Sequence, residues 1–134
     1  MEIKVSTESK RVPITVLHVD GDINSSNYGA LLSKAQELIK GGAGYMLIDL
    51  ANTPYISSAG LRTIHTIFID LRSIHPEENL TEDQMDKDIR AGTYKSPYLK
   101  LLNLTSNVEG VFIMGGFSRY IEAYTDLETA LASF

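Results

Sequence analysis

The chain has 134 residues, 43% of them hydrophobic, which is the size of one ordinary domain able to bury a core without staples. It contains no cysteine, which excludes disulfides, thiol chemistry and cysteine-built zinc sites and permits a reducing compartment. The formal net charge of -5 argues against nucleic-acid binding, which needs a basic face, and favours a partner with a basic surface.

The opening stretch, MEIKVSTESKRVPI, has no apolar run of signal-peptide length, and no later stretch approaches the length that spans a bilayer. A cytoplasmic location without membrane contact is expected. Glu2 to Ser6 alternates apolar Ile3 and Val5 with polar neighbours, and Val12 to Val19 does so less strictly, so the two runs read as a hairpin. Lys10 and Arg11 in its turn are ordinary solvated charge. Gly21 and Asp22 end the second strand. Ser25 or Ser26 then caps a helix whose core stripe is Leu31, Leu32, Ala35, Leu38 and Ile39, and Gly41 and Gly42 stop it.

Tyr45 to Leu50 is a short apolar run, as expected of a strand covered on both faces. Asn52, Thr53 and Pro54 break it, because proline lacks an amide proton and forces its predecessor toward an extended conformation. After Ser57 and Ser58 the spacing becomes helical, with Leu61, Ile64, Phe68 and Leu71 on one stripe. A hydroxyl at this join has two readings. It caps the helix by accepting from a free first-turn amide, or it accepts a phosphate, whose charge the helix start tolerates.

Strand, helix, strand, helix in this order implies parallel neighbours joined by crossovers. The segment from Ile74 to Pro97 is long for a connection. Within it Thr81 and Gln84 have capping-box spacing, Leu80 and Met85 fit a hydrophobic staple, and Gly92 is a stop, so a short helix is expected over 82–91. Its apolar side, chiefly Met85 and Ile89, predicts weak docking as a surface insertion, with a partner-binding element as the alternative. Tyr98 to Leu104 returns to a buried strand. Ser106 with Glu109 is expected to cap a helix with Val108, Val111 and Phe112 inward, and Tyr120 to Tyr124 to form a last strand with Ile121 and Ala123 buried. Thr125 with Glu128 is expected to cap the final helix, whose stripe is Leu127, Ala130, Leu131 and Phe134. The fold class that results is α/β, a mixed sheet of about five strands backed by about four helices.

The stretch DLANTPYISSAGLRTI, preceded by HVDGDIN and a helix and followed by LKLLNLTSNVEGVF and DLETALASF, resembles the STAS domain of bacterial anti-sigma factor antagonists. The resemblance covers residues 1–134 as one STAS-like domain apart from an insertion near 75–97. In that family an aspartate, the phosphorylated serine, a small residue and Gly-Leu follow one another, which places the acceptor on Ser58, ahead of Ala59, Gly60 and Leu61. Ser57 stands where the pattern often has aspartate and is the second candidate. Asn24 stands where many relatives have an acidic residue, two positions from Asp22. The resemblance implies a protein that binds an anti-sigma factor of the serine kinase type, is switched off by phosphorylation and is restored by a phosphatase. The implied contact surface is Ser57, Ser58, Ala59 and Arg62 with the loop carrying Asp22, Asn24 and Ser25, and a homodimer is left open. The main rival is a non-switching STAS module that serves as a scaffold in a larger signalling or transport-associated assembly.

Other chemistry lacks its residues. The nucleophile elbow G-x-S-x-G has Ile56 where its first glycine belongs, and His65 lies about two helical turns from Ser58. No phosphate-cradling G-x-x-x-x-G-K-[ST] occurs. His18, His65 and His75 lack ligand spacing, and Asp20, Asp22 and Asp49 do not form the aspartate cluster of a receiver domain. No catalytic activity, metal or cofactor is expected.

Overall fold

Alternating side chains make the first two strands a hairpin: β1 (Glu2–Ser9) runs antiparallel to β2 (Pro13–Asp20), with Ile3 opposite Val19 and Val5 opposite Leu17. In this computed structural model, which describes residues 1–76, 78 and 80–134, the remaining strands all join in parallel. They are β3 (Met46–Asn52), β4 (Leu99–Leu102) and β5 (Ala123–Tyr124), and the sheet order is β1-β2-β3-β4-β5. The mixed α/β sheet agrees with the sequence reading. Its helices are α1 (Tyr28–Lys40), α2 (Ser58–Ser73), α3 (Glu82–Ala91), α4 (Ser106–Met114) and α5 (Leu127–Ala132), five among the described residues where about four were expected.

The strands bury both faces, which is why the central ones are nearly all apolar. On one face Leu17, Val19, Met46, Ile48, Leu50, Leu99 and Leu101 pack against Leu31 and Ala35 of α1 and Leu61, Ile64, Ile67, Phe68 and Leu71 of α2. On the other face Ile14, Val16, Leu47 and Leu102 are covered by Ala130, Leu131 and Phe134 at the C-terminal helix. α5 is short, so it covers only part of that second face.

Three caps shift from their expected positions. Asn27, not Ser25 or Ser26, precedes α1, and Thr105, not Ser106, precedes α4. The Thr105 hydroxyl is drawn off to the Thr53 carbonyl (2.9 Å), so it ties α4 to the loop after β3 instead of closing its own first turn. Asp126, not Thr125, caps α5. Its carboxylate accepts from the Thr129 amide and hydroxyl at 2.9 and 2.8 Å, bonds that hold its pKa below the usual carboxylate value. β5 is only two residues long, and it leaves Ala123 exposed while Ile121 is buried ahead of it. Val111 and Leu127 likewise face solvent.

The 75–97 segment, in which Glu77 and Asn79 lie outside the described residues, is docked more firmly than its composition predicts. Thr81 caps α3 by accepting from the Gln84 amide (3.1 Å), but the Gln84 side chain turns to Asp88, so only half of the capping box forms. Gly92 ends the helix at φ 76°. Met85 is 4% exposed and belongs to the main core, as do Tyr94 and Tyr98. The Arg72 guanidinium bonds the Leu80 carbonyl and lies 3.8 Å from Glu78, which also accepts from the Tyr98 hydroxyl at 3.0 Å. The residues that make these anchors lie mostly outside α3 and could not be counted from the helix alone.

Candidate functional site

The site forms where two loops leave the C-terminal ends of β2 and β3 and continue the parallel pairing. Gly21 N donates to Asn52 O (2.9 Å), Ile23 N to Tyr55 O (3.0 Å) and Ser57 N to Ile23 O (2.8 Å), while Ile23 and Ile56 form a parallel bridge. Both isoleucines are buried, at 0% and 3% exposure, and act as a hydrophobic peg under the loops. Thr53 is fully buried, and its hydroxyl donates to the Val19 carbonyl at 3.1 Å, which satisfies a polar group inside the core.

On this base α2 begins. Ser57 has extended backbone angles and its Oγ accepts from Gly60 N at 3.2 Å, so it is the N-cap. Ser58 is the first helical residue and is exposed, as is Arg62 one turn later, while Ala59 is half-buried. The two serines are thereby separated in role: one oxygen is engaged by the helix and the other faces solvent. No acidic residue lies in the first turn, so the partial positive charge of the helix start is not offset from within the helix. Gly60 sits where a side chain has no room. A Cβ there would lie 2.6 Å from Ile56 Cγ1 and 2.8 Å from Ile23 Cγ2.

The first loop is held by asparagines. Asn24 Oδ1 accepts from the Ser26 amide (2.9 Å) and hydroxyl (2.6 Å), and Asn27 Oδ1 accepts from Asn24 N (2.8 Å). Asn27 Nδ2 returns to the Asp22 carbonyl at 2.9 Å. This internal closure, with amide in place of carboxylate, positions Asp22 and Ser25 on the surface. The sequence-derived residues Asp22, Asn24, Ser25 and Ser57 therefore lie on two loops sewn together by backbone bonds, with Ser58, Ala59 and Arg62 on the start of the helix that leaves the second. Among the described residues, no hydrogen bond joins the side chains of Ser58 or Arg62 to the first loop.

The histidines are placed by tertiary structure. His65, on the flank of α2, has Nδ1 2.5 Å from the Tyr120 hydroxyl, and burial lowers its pKa below 6.5, partly offset by the Asp86 carboxylate. His18 pairs with Asp49 across β2 and β3, a contact that sequence spacing missed and only the strand register reveals. Among the described residues there is no group of three or more metal-ligating side chains, and no helix is long and apolar enough to cross a membrane.

A five-stranded mixed sheet with a serine-capped helix issuing from its central strand defines the class, and the sequence model of the STAS domain matches residues 5–76. The chain belongs to the STAS domain family. Its fold is shared over 96% of this chain with a Thermotoga maritima protein assigned as an anti-sigma factor antagonist, at 15% identity, TM-score 0.70 and 92% of that chain. An anti-sigma factor antagonist from Mycobacterium paratuberculosis matches at 16% identity and TM-score 0.66, over 98% of this chain and 93% of its own. The Bacillus cell fate determinant SpoIIAA in its phosphorylated form matches at 11% identity and TM-score 0.63, over 98% and 97% of the two chains. No curated protein sequence matches this one.

Proposed function

We propose that this chain is an anti-sigma factor antagonist: a cytoplasmic binding protein, not an enzyme, that docks on an anti-sigma factor of the serine kinase type and is released when that kinase phosphorylates Ser58. Residues 1–134 act as one STAS domain with 75–97 as its insertion, and a phosphatase restores the binding form. The contact surface is Ser57, Ser58, Ala59 and Arg62 with Asp22, Asn24 and Ser25 of the neighbouring loop. The observation that supports the reading is the division of labour between the serines, Ser58 being exposed at the first helical position while Ser57 Oγ is engaged by Gly60 N.

The physics of release follows from charge. A phosphoryl group brings roughly -1.5 to -2 charge at neutral pH. On Ser58 it meets free helix amides and, four residues on along the same flank, the Arg62 guanidinium, so the fold tolerates it. A partner surface shaped for a neutral hydroxyl meets repulsion and an unpaired charge to desolvate. The test is phosphate uptake by intact mass on incubation with the cognate kinase and ATP, with partner binding followed in parallel. Ser58→Ala should bind normally, take no phosphate and stay bound. Uptake by Ser58→Ala at the wild-type rate would refute the assignment and move it to Ser57. A chain that binds but is never modified would be the non-switching scaffold.

A further inference from the structure

On the sheet face opposite α2, the ends of the strands carry a hydrogen-bonded chain that the proposed switch does not use. The register pairs Lys4 with His18 across β1 and β2, and His18 with Asp49 across β2 and β3. Residues opposite one another in a ladder share a face, and Ser6, two positions from Lys4, shares it too. His18 Nδ1 lies 2.9 Å from Asp49 Oδ2, and His18 Nε2 lies 3.0 Å from Ser6 Oγ. Asp49 Oδ1 accepts from the Ala51 amide at 3.1 Å, which anchors the carboxylate by its other oxygen. A carboxylate only accepts, so in the neutral imidazole Nδ1 carries the proton and Nε2 is the acceptor for the serine hydroxyl. This is the arrangement a nucleophilic serine requires: hydroxyl, base and orienting carboxylate in sequence, each within hydrogen-bond reach.

The chain of groups is accessible. α5 covers the sheet at Ile14, Val16, Leu47 and Leu102 and stops short of the strand ends, leaving the His18 side chain 42% and the Asp49 side chain 18% exposed. A cleft of 110 Å³ lined by Lys4, His18, Val19, Asp20, Asp49 and Asn52 adjoins the base and its carboxylate; Ser6 lies outside that lining and is itself partly exposed, so its hydroxyl meets an ester from solvent.

We propose that Ser6 is a base-activated hydroxyl that takes an acyl group from small activated esters, with His18 as general base and Asp49 as its positioning residue. Ser6 Oγ bonds to the carbonyl carbon as His18 Nε2 takes the hydroxyl proton. The bond to the leaving oxygen then breaks, and that oxygen departs with the proton from His18, giving acyl-Ser6 and the free alcohol. The product followed is the modified chain, acyl-Ser6. This proposal stands apart from Ser58 and from the partner reading.

The full chain is mixed with p-nitrophenyl acetate, and p-nitrophenolate release, intact mass and peptide mapping are followed together. One acetyl group on Ser6 is expected, absent from Ser6→Ala. His18→Gln should acetylate on the order of 100-fold more slowly, the share a general base contributes. Added imidazole should restore part of the rate to His18→Ala, which a merely structural histidine would not allow. Asp49→Asn should be slow and Asp49→Glu faster than it, with far-UV circular dichroism confirming that each variant is folded. Acetyl found only on lysines or the terminal amine, no acetylation above that of a free serine peptide, or an unchanged rate in Ser6→Ala or His18→Gln would overturn the proposal.

Discussion

Replacing Gly60 by alanine tests whether the serine turn is positioned by close packing against the two loop isoleucines. Alanine gains about 1 kcal/mol of helix propensity over glycine. Against this stand two carbon contacts, at 2.6 Å to Ile56 Cγ1 and 2.8 Å to Ile23 Cγ2. Neither atom is the far end of a flexible chain, since each is bonded directly to the Cβ of a buried, β-branched residue. Nor can the backbone slide away easily, because Ile23 N is held by Tyr55 O and Ile23 O by Ser57 N. Overpacking of this kind costs about 1–3 kcal/mol, and two contacts on stiff partners place it at the upper end. The net loss is about 2 kcal/mol, or a fall in Tm of about 8 °C for a domain of this length. Urea unfolding and thermal melts by circular dichroism read it directly. Gly110→Ala, in α4 where a Cβ meets nothing within 4 Å, should shift stability the other way by up to about 1 kcal/mol. Ile56→Ala in the Gly60→Ala background should cost less than the two single changes summed, with a coupling of about 1–3 kcal/mol. If Gly60→Ala stabilises the protein as Gly110→Ala does, the packing argument is wrong.

Ser57→Ala should lose about 1 kcal/mol with its cap while Ser58→Ala stays within about 0.5 kcal/mol of wild type, both read from urea midpoints. Ser58→Asp should hold stability or raise it by about 0.3–1 kcal/mol through the helix dipole, while binding to the anti-sigma factor, by calorimetry, weakens. Arg72→Met leaves Glu78 without its guanidinium and frees the Leu80 carbonyl; a loss of about 3 kcal/mol and new protease cleavage within 75–97 are expected. His65 has a folded pKa below its unfolded value of 6.5, so on acidification the unfolded chain takes up the proton first and stability declines from about pH 6.5 downward. His65→Gln should flatten that decline in urea midpoints measured across the window.

The sequence could be read where a single local pattern decided the outcome. Helical spacing from Leu61 to Leu71 is the core stripe of α2, and Thr81 and Gly92 bound α3 through the chemistry their residue types predict. The misplaced caps share one cause. Clusters such as Ser25-Ser26-Asn27, Thr105-Ser106 and Thr125-Asp126 offer several oxygens, and tertiary contacts choose among them, as when Thr53 claims the Thr105 hydroxyl. The firmness of the insertion was hidden because Met85 joins a core assembled from residues all along the chain, and because Arg72 reaches forward from α2. Ala123 and Val111 turned outward for a related reason: a two-residue edge strand and a nine-residue helix are too short for their periodicity to fix which side is buried. In the site, the two loops were legible as separate motifs. Their seam, Ile23 against Ile56, was not, since it joins residues 33 positions apart through a strand register no local pattern encodes.

That seam also explains why adjacent serines can carry different duties. Ser57 is bound on both sides, its amide to the Ile23 carbonyl and its Oγ to the Gly60 amide, so the geometry of the loop junction depends on it. Ser58 is one residue further along and contributes to the helix only through its backbone conformation, with its side chain outside. A change of charge at Ser57 must act first on the fold; at Ser58 it alters the surface potential over a base that stays in place. A switch that has to alter a partner's affinity without unfolding its carrier needs the second kind of position. Here the rigidity of that position comes from the residue before it and from the glycine two residues after, whose missing side chain lets the helix rest directly on the isoleucine peg.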